Sequence, residues 1–153
     1  MSIADPFDLQ RFVDAQEPVI LDVLAQLRRG RKTSHWMWFI FPQIEGLGAS
    51  SMAERYAISS LEEASAYLHH PLLGLRLLEC TRLLLSVRSQ NAREILGTPD
   101  DLKFCSSMTL FQLVAAPEEH LFTSALAKYF GGVPDPRTLE LLGPNDRRRL
   151  CAR

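Results

Sequence analysis

The stretch Leu72-Leu73-Gly74-Leu75-Arg76-Leu77-Leu78-Glu79-Cys80-Thr81-Arg82-Leu83-Leu84-Leu85-Ser86-Val87 decides the fold. Leucine dominates it. Its polar residues Arg76, Glu79, Arg82 and Ser86 recur at helical spacing, which draws them into one narrow stripe and leaves the rest of the circumference apolar. The spacing predicts a central helix buried on most sides, which needs partners around it.

Working outward, the partners read as helices too. Ser60 with Glu63 three residues later forms a capping box ahead of Leu61, Ala64 and Leu68, predicting a helix to about His69 before Pro71 restarts the chain. Asn91 and Glu94 make a second box for a short helix ending at Gly97. Thr98-Pro99-Asp100-Asp101 opens the next, which should reach about Ala115. Pro117-Glu118-Glu119 starts another that Gly131-Gly132 stops, and Asp135-Pro136 starts a last short one before Gly143.

On the N-terminal side, Asp5-Pro6 opens a short helix to Gln16, and Pro18 opens one carrying Ile20, Val23, Leu24 and Leu27, which Gly30 ends. The block His35-Trp36-Met37-Trp38-Phe39-Ile40-Phe41 is too short and too uniformly apolar for periodicity to choose strand or helix; it is assigned as a helix capped by Ser34. Residues 46–51 read as a loop and Met52 to Tyr56 as a helical turn. Extended alternation is nearly absent. The expectation is an all-α fold, a compact single-domain bundle of about eight mostly short helices around the leucine-rich one. The domain spans 5–143, and 144–153, with Arg147-Arg148-Arg149, reads as a flexible tail.

Composition narrows the function classes. The chain has 153 residues, 46% of them hydrophobic, enough for one sizeable core. With 17 basic against 18 acidic side chains the formal charge is -1, so no broad field draws in nucleic acid or an acidic membrane. Cys80, Cys105 and Cys151 are an odd, widely spaced set, unlike a secreted disulfide framework or a zinc ribbon. Residues Met1 to Pro6 lack a basic start followed by an apolar run, and no later segment approaches membrane-spanning length. A cytoplasmic protein without membrane contact is expected.

Asp5-Pro6-Phe7-Asp8-Leu9-Gln10-Arg11-Phe12, Ser34 through Gln43, Arg55-Tyr56-Ala57-Ile58-Ser59-Ser60-Leu61 and Ser106-Ser107-Met108-Thr109-Leu110-Phe111 together resemble one bacterial family, catalogued as domain of unknown function eighteen-ten. The resemblance runs from Asp5 to Gly143 and implies a compact, mainly helical fold; it implies no activity. Proteins of this kind also carry the label calpastatin, which denotes a long, repetitive, disordered inhibitor. The core-forming composition here points away from that label. A local echo of helical ADP-ribose-linked N-glycosidases is confined to Phe12-Val13-Asp14-Ala15-Gln16.

Chemistry concentrates in two segments. Trp36, Trp38, Phe39 and Phe41 offer flat apolar faces beside Arg31, Lys32, His35 and Gln43, a combination suited to stacking and anchoring a nucleotide-like or phosphorylated metabolite; the alternative is that the rings fill the core. On the helix from Asp100, Lys103 shares a face with Ser106 and Ser107, so an ammonium and two hydroxyls stand together for an anion. Arg55 and Tyr56 are expected to complete the site. In an enzyme, His35 would serve as acid or base on a phosphate or glycosidic bond, with Lys103 or an arginine stabilising negative charge. Whether the chain is an enzyme at all stays open at this point.

Cys105 is the one thiol with polar neighbours and a weaker candidate for a nucleophile. His35, His69, His70 and His120 show no ligand spacing, so no metal is expected, and nothing calls for a cofactor. Two alternatives stand beside a small-molecule site. One is a protein-interaction or accessory domain. The other is a weak single-strand nucleic-acid surface at Arg28-Arg29-Gly30-Arg31-Lys32, which the overall charge disfavours.

Overall fold

A computed structural model describes the backbone of residues 4–88 and 91–151 and the side chains of 4–88 and 91–143. Ten helices lie among these residues: α1 Gln10–Gln16, α2 Ile20–Arg29, α3 Met37–Ile40, α4 Ser51–Arg55, α5 Leu61–His69, α6 Leu73–Ser86, α7 Ala92–Leu96, α8 Asp100–Gln112, α9 Leu121–Phe130 and α10 Pro136–Cys151. The class is all-α, with slightly more helices than the punctuation predicts. Its extended pairing is one isolated parallel bridge between Ile44 and Ile58. No helix among the described residues is long and apolar enough to cross a membrane.

The leucine-rich segment is α6, buried through Leu73, Gly74, Leu77, Cys80, Thr81 and Leu84 against α2, α3, α5 and α9. Side chains cap both of its ends. His70 Nδ1 accepts from the backbone N–H groups of Leu72 and Leu73 at 3.1 and 3.2 Å. Lys128 donates to the carbonyls of Leu85 and Val87 at 2.7 and 2.6 Å, satisfying groups that a helix end leaves open. A Cβ on Gly74 would stand 1.9 Å from the Leu68 carbonyl oxygen, so only glycine lets α6 leave α5 this closely. Leu75, 67% exposed, shows that the apolar surface of α6 is wider than the face its partners cover.

The centre is shared with α8. Phe104 and the run from Ser106 to Phe111 are buried between α5, α7, α9 and α10. Ser106 and Thr109 bond backward along the helix there, to the Leu102 carbonyl at 3.1 Å and the Cys105 carbonyl at 2.8 Å.

Several local expectations are corrected. Asp5 caps a turn and α1 starts later, at Gln10; its carboxylate accepts from the N–H groups of Leu9 at 2.8 Å and Gln10 at 3.0 Å. Asn91 and Glu94 close the full capping box, but at Ser60 only half of one forms. Glu63 turns its carboxylate to the N–H and hydroxyl of Ser59 and to Arg11. After Pro117 the chain turns, with Glu119 N–H on the Ala116 carbonyl at 2.9 Å, and α9 begins at Leu121, whose N–H donates to the Glu119 carboxylate at 3.1 Å. Gly143, with φ 83° and ψ 171°, breaks α10 at the expected stop, and helical backbone resumes beyond it to Cys151. The side chains of the expected tail lie outside the described residues.

Helix α3 is only four residues long, and two buried glutamines hold it. Gln26 accepts from Thr33 N–H at 2.9 Å and Trp36 Nε1 at 2.8 Å, and donates to Ser34 Oγ at 2.7 Å. Ser34 is therefore a partner of Gln26 and not a helix cap. At the other end Gln16 donates to the Phe39 carbonyl at 2.7 Å and to the Tyr67 hydroxyl at 3.0 Å. Arg11 ties the N-terminal turn to the chain ahead of α5, donating to the carbonyls of Arg55 and Ala57, both at 2.9 Å, and pairing with buried Glu63 at 2.8 Å.

Replacing Gln26 with Leu should destabilise the protein by about 2–4 kcal/mol in chemical denaturation, since each buried donor left unpaired costs about 1–3 kcal/mol. A loss below about 0.5 kcal/mol would show that the clamp contributes little. Asp5 lies below its ordinary value of 3.8, chiefly through the N–H of Gln10 and then that of Leu9. Its lowered folded value means a contribution fully present above 3.8 and lost as pH falls through the folded value. Wild type should therefore be more stable than Asp5→Asn at neutral pH, with the gap closing in acid; a gap independent of pH would refute this.

Candidate functional site

Phe104 is wholly buried, and its ring meets Phe41 at 5.0 Å, Phe130 at 6.1 Å and Tyr129 at 6.3 Å between centroids. Phe130 also lines a cleft of about 590 Å³ between the first turns of α8, the 43–48 loop and the turn joining α9 to α10. Leu47, Pro99, Leu102, Phe130, Val133, Pro134 and Pro136 give it apolar walls, and Gln43, Lys103, Cys105, Ser106, Asp135 and Arg137 supply polar atoms. Its size and mixture fit a small-molecule pocket, roughly 300–1,000 Å³ with few polar groups on apolar walls.

A smaller recess of about 10 Å³ adjoins it, lined by Met37, Trp38, Phe41, Gln43, Ala53, Tyr56 and Lys103. Gln43 and Lys103 line both spaces and so form their boundary. Gln43 is positioned by the Ile44–Ile58 bridge: its carbonyl accepts from Ile58 N–H at 2.9 Å, and Glu45 N–H donates to the Ile58 carbonyl at 2.8 Å. Gly48 lets the loop lie on α4, since a Cβ there would fall 2.6 Å from that of Ala53.

Lys103 stands over the Trp38 ring, its Nζ 5.5 Å from the centroid and 3.7 Å from Asp100 Oδ1. The tight partner of Asp100 is Lys32, at 2.8 Å from Oδ2, largely buried and itself over Trp36 at 5.2 Å. Lys103 thus keeps hydrogen-bonding capacity to spare. The Gln43 carboxamide makes no hydrogen bond among the described residues. Asp135 is mostly committed: its Oδ2 accepts from Thr138 N–H at 3.0 Å, from the Thr138 hydroxyl and from Ser106 Oγ at 3.1 Å, capping α10.

The expected site residues separate into groups. Trp38, Gln43, Tyr56, Lys103 and Ser106 line the two adjoining spaces. Trp36, 1% exposed, fills the core with its N–H held by Gln26. Ser107 is fully buried and lines neither space; its hydroxyl has no partner. Lys32 is spent on Asp100, while Arg31 and His35 are exposed and away from both spaces. Arg55 stacks on Tyr56 at 5.4 Å, facing a separate polar hollow of about 360 Å³ shared with Asp8, Arg11 and Asp14. The aromatic block is thus divided between core and recess, because α3 is buried on the side that carries Met37, Phe39 and Ile40.

Sequence reasoning missed Gln16, Gln26, Asp135 and Arg137. In sequence Asp135 is a helix start, and its bond with Ser106, 29 positions away, exists only in the fold. Gln26 flanks the Val23 and Leu27 stripe of α2, the single cue that it faces inward. Among the described residues no group of three or more His, Cys, Asp or Glu could hold a metal ion. Burial, with Asp135 nearby, pushes the Cys105 thiol up to about 11, so it stays protonated at neutral pH.

Fold and cleft together define a small all-α domain with a mostly apolar pocket bounded by two under-used polar side chains. The chain belongs to the family described as protein of unknown function (DUF1810), whose model matches residues 6–142. It is also similar to the solved structure of the conserved hypothetical protein Rv1873 from Mycobacterium tuberculosis, with 58% identity over 92% of this chain and 99% of that one, at a TM-score of 0.89. No curated protein compared with the chain matches it.

With Cys151→Ser removing the terminal thiol, alkylation of Cys105 by iodoacetamide at pH 8 should run about a hundredfold slower than that of an ordinary thiol. Reaction at the rate of a free small-molecule thiol would return Cys105 to the nucleophile candidates.

Proposed function

We propose that this protein binds a small organic anion with a mostly apolar body in the cleft between α8 and α10. The observation that carries the reading is the boundary formed by Lys103 and Gln43, two polar groups with unused hydrogen-bonding capacity at the inner end of an apolar cavity. A partly desolvated ammonium over an indole face favours an incoming anion more than the same group in water would. Nucleotide stacking on the whole aromatic block loses its support, since Trp36 is enclosed.

Binding is favoured over turnover. His35, the expected acid or base, lies away from the cleft, and the thiol within it is protonated. The reading includes a cytoplasmic location, supported by the free thiols of Cys80 and Cys105. A partner-binding role has one observation of its own: Leu21 and Leu75, 79% and 67% exposed, flank a shallow hollow between α2 and α6. Self-association abolished by Leu21→Ser with Leu75→Ser in analytical ultracentrifugation would promote it.

Isothermal titration with medium-length apolar compounds, each with and without an anionic head, should show binding of the anionic members. Lys103→Met should weaken it by roughly 10–100-fold, as expected for loss of a hydrogen bond to a charged group. Equal affinity of wild type and variant would remove Lys103 from the site, and absence of binding across the panel would overturn the reading.

A further inference from the structure

We infer that the head group selected by this cleft is a monocarboxylate, seated between Lys103 and Gln43, on an aliphatic or arylalkyl body that runs out over Leu102 and Val133. The inference rests on the cleft being a binding site and specifies which anion it takes.

Three features separate a carboxylate from a phosphate. The first is charge. Of the charged side chains that line the cleft, Lys103 and Arg137 are positive and Asp135 is negative, a surplus of one. One negative charge balances that surplus, whereas a phosphate monoester brings about 1.5–2. The second is the supply of donors. Phosphate sites commonly use several open backbone N–H groups at a helix start. Both helix starts bordering this cleft are engaged: the N–H groups of Leu102 and Lys103 bond to the Pro99 carbonyl at 3.0 and 3.1 Å, and that of Thr138 bonds to the Asp135 carboxylate at 3.0 Å. Besides the exposed Arg137 guanidinium, what remains is the Lys103 ammonium and the Gln43 amide N–H₂, enough for the two oxygens of one carboxylate.

The third feature lies at the mouth. Leu102 and Val133 are 60% and 63% exposed, among the largest exposed apolar side chains of the described residues, and both line the cleft. An apolar body reaching outward from the Lys103 end would cover them, gaining about 25 cal/mol for each Å² of apolar surface removed from water. A short polar metabolite would leave them wet.

The test uses matched probes on the full chain: octanoate, octyl phosphate and 1-octanol, each titrated by calorimetry below its aggregation limit. Octanoate should bind at least tenfold more tightly than either of the others. Gln43→Leu and Lys103→Met should each erase most of that preference, while Leu102→Ser should weaken all bound probes together. Circular dichroism and thermal melting verify that each variant is folded. Tighter binding of octyl phosphate, or equal binding of 1-octanol, would overturn the carboxylate assignment and leave the cleft as a binding site. Failure of all three probes to bind wild type would overturn the binding reading itself.

Discussion

A four-residue helix cannot satisfy its own backbone, and that constraint organises this protein. Helix α3 closes almost none of the hydrogen bonds a longer helix would, yet Met37, Phe39 and Ile40 are buried. Its polar groups need partners from outside. Gln16 from α1 takes the Phe39 carbonyl, and Gln26 from α2 pins the segment leading into α3 through Thr33 N–H, Ser34 Oγ and the Trp36 indole. A glutamine suits the task because one planar amide donates and accepts, so a single side chain serves both a backbone N–H and a hydroxyl. Buried fully bonded, such a group specifies one arrangement; unbonded, it would cost more than an apolar residue.

The clamp reaches the cleft through the chain that follows α3. Phe41 packs on Phe104, whose ring meets Phe130 of the cleft wall, and the Gln43 carbonyl accepts from Ile58 N–H beside the bridge. That bridge would end in a free loop without Arg11, which bonds the carbonyls of Arg55 and Ala57 on one side and buried Glu63 on the other. A charge pair of this kind adds little net stability compared with an apolar pair, but breaking it leaves an uncompensated buried charge. Its effect here is positional: it sets where residues 55–58 run, and so where the Gln43 side chain stands.

Much of the fold was legible in the sequence because helix starts and stops are local chemistry. The Asn91–Glu94 box, the Gly30 stop and the leucine stripe of α6 depend on neighbours within a turn or two. The misreadings have a shared cause. Ser34 looked like a cap and Ser60–Glu63 like a complete box, but each had a stronger partner remote in the chain or adjacent to the motif, Gln26 in one case and Arg11 with Ser59 in the other. The candidate site was legible by half. Lys103 and Ser106 were placed together because helical spacing is geometry, and Trp38 and Gln43 because the block was unusual. That Trp36 would turn inward while Trp38 faced Lys103 depends on which side of α3 meets the core, and so apolar a run does not encode it.

The division of the two lysine–tryptophan pairs explains why one end of the molecule is structural and the other available. Lys32 and Lys103 both stack on an indole and both face Asp100. Lys32 takes the short contact and lies buried, so its charge is neutralised within the fold. Lys103 is left with the longer contact and partial exposure. One carboxylate cannot serve two ammonium groups equally, and the loser is the group that borders the cleft. An anion entering there would complete a pairing that the fold itself leaves unfinished, and for that reason the proposed recognition of negative charge is assigned to Lys103 and not to its better-held neighbour.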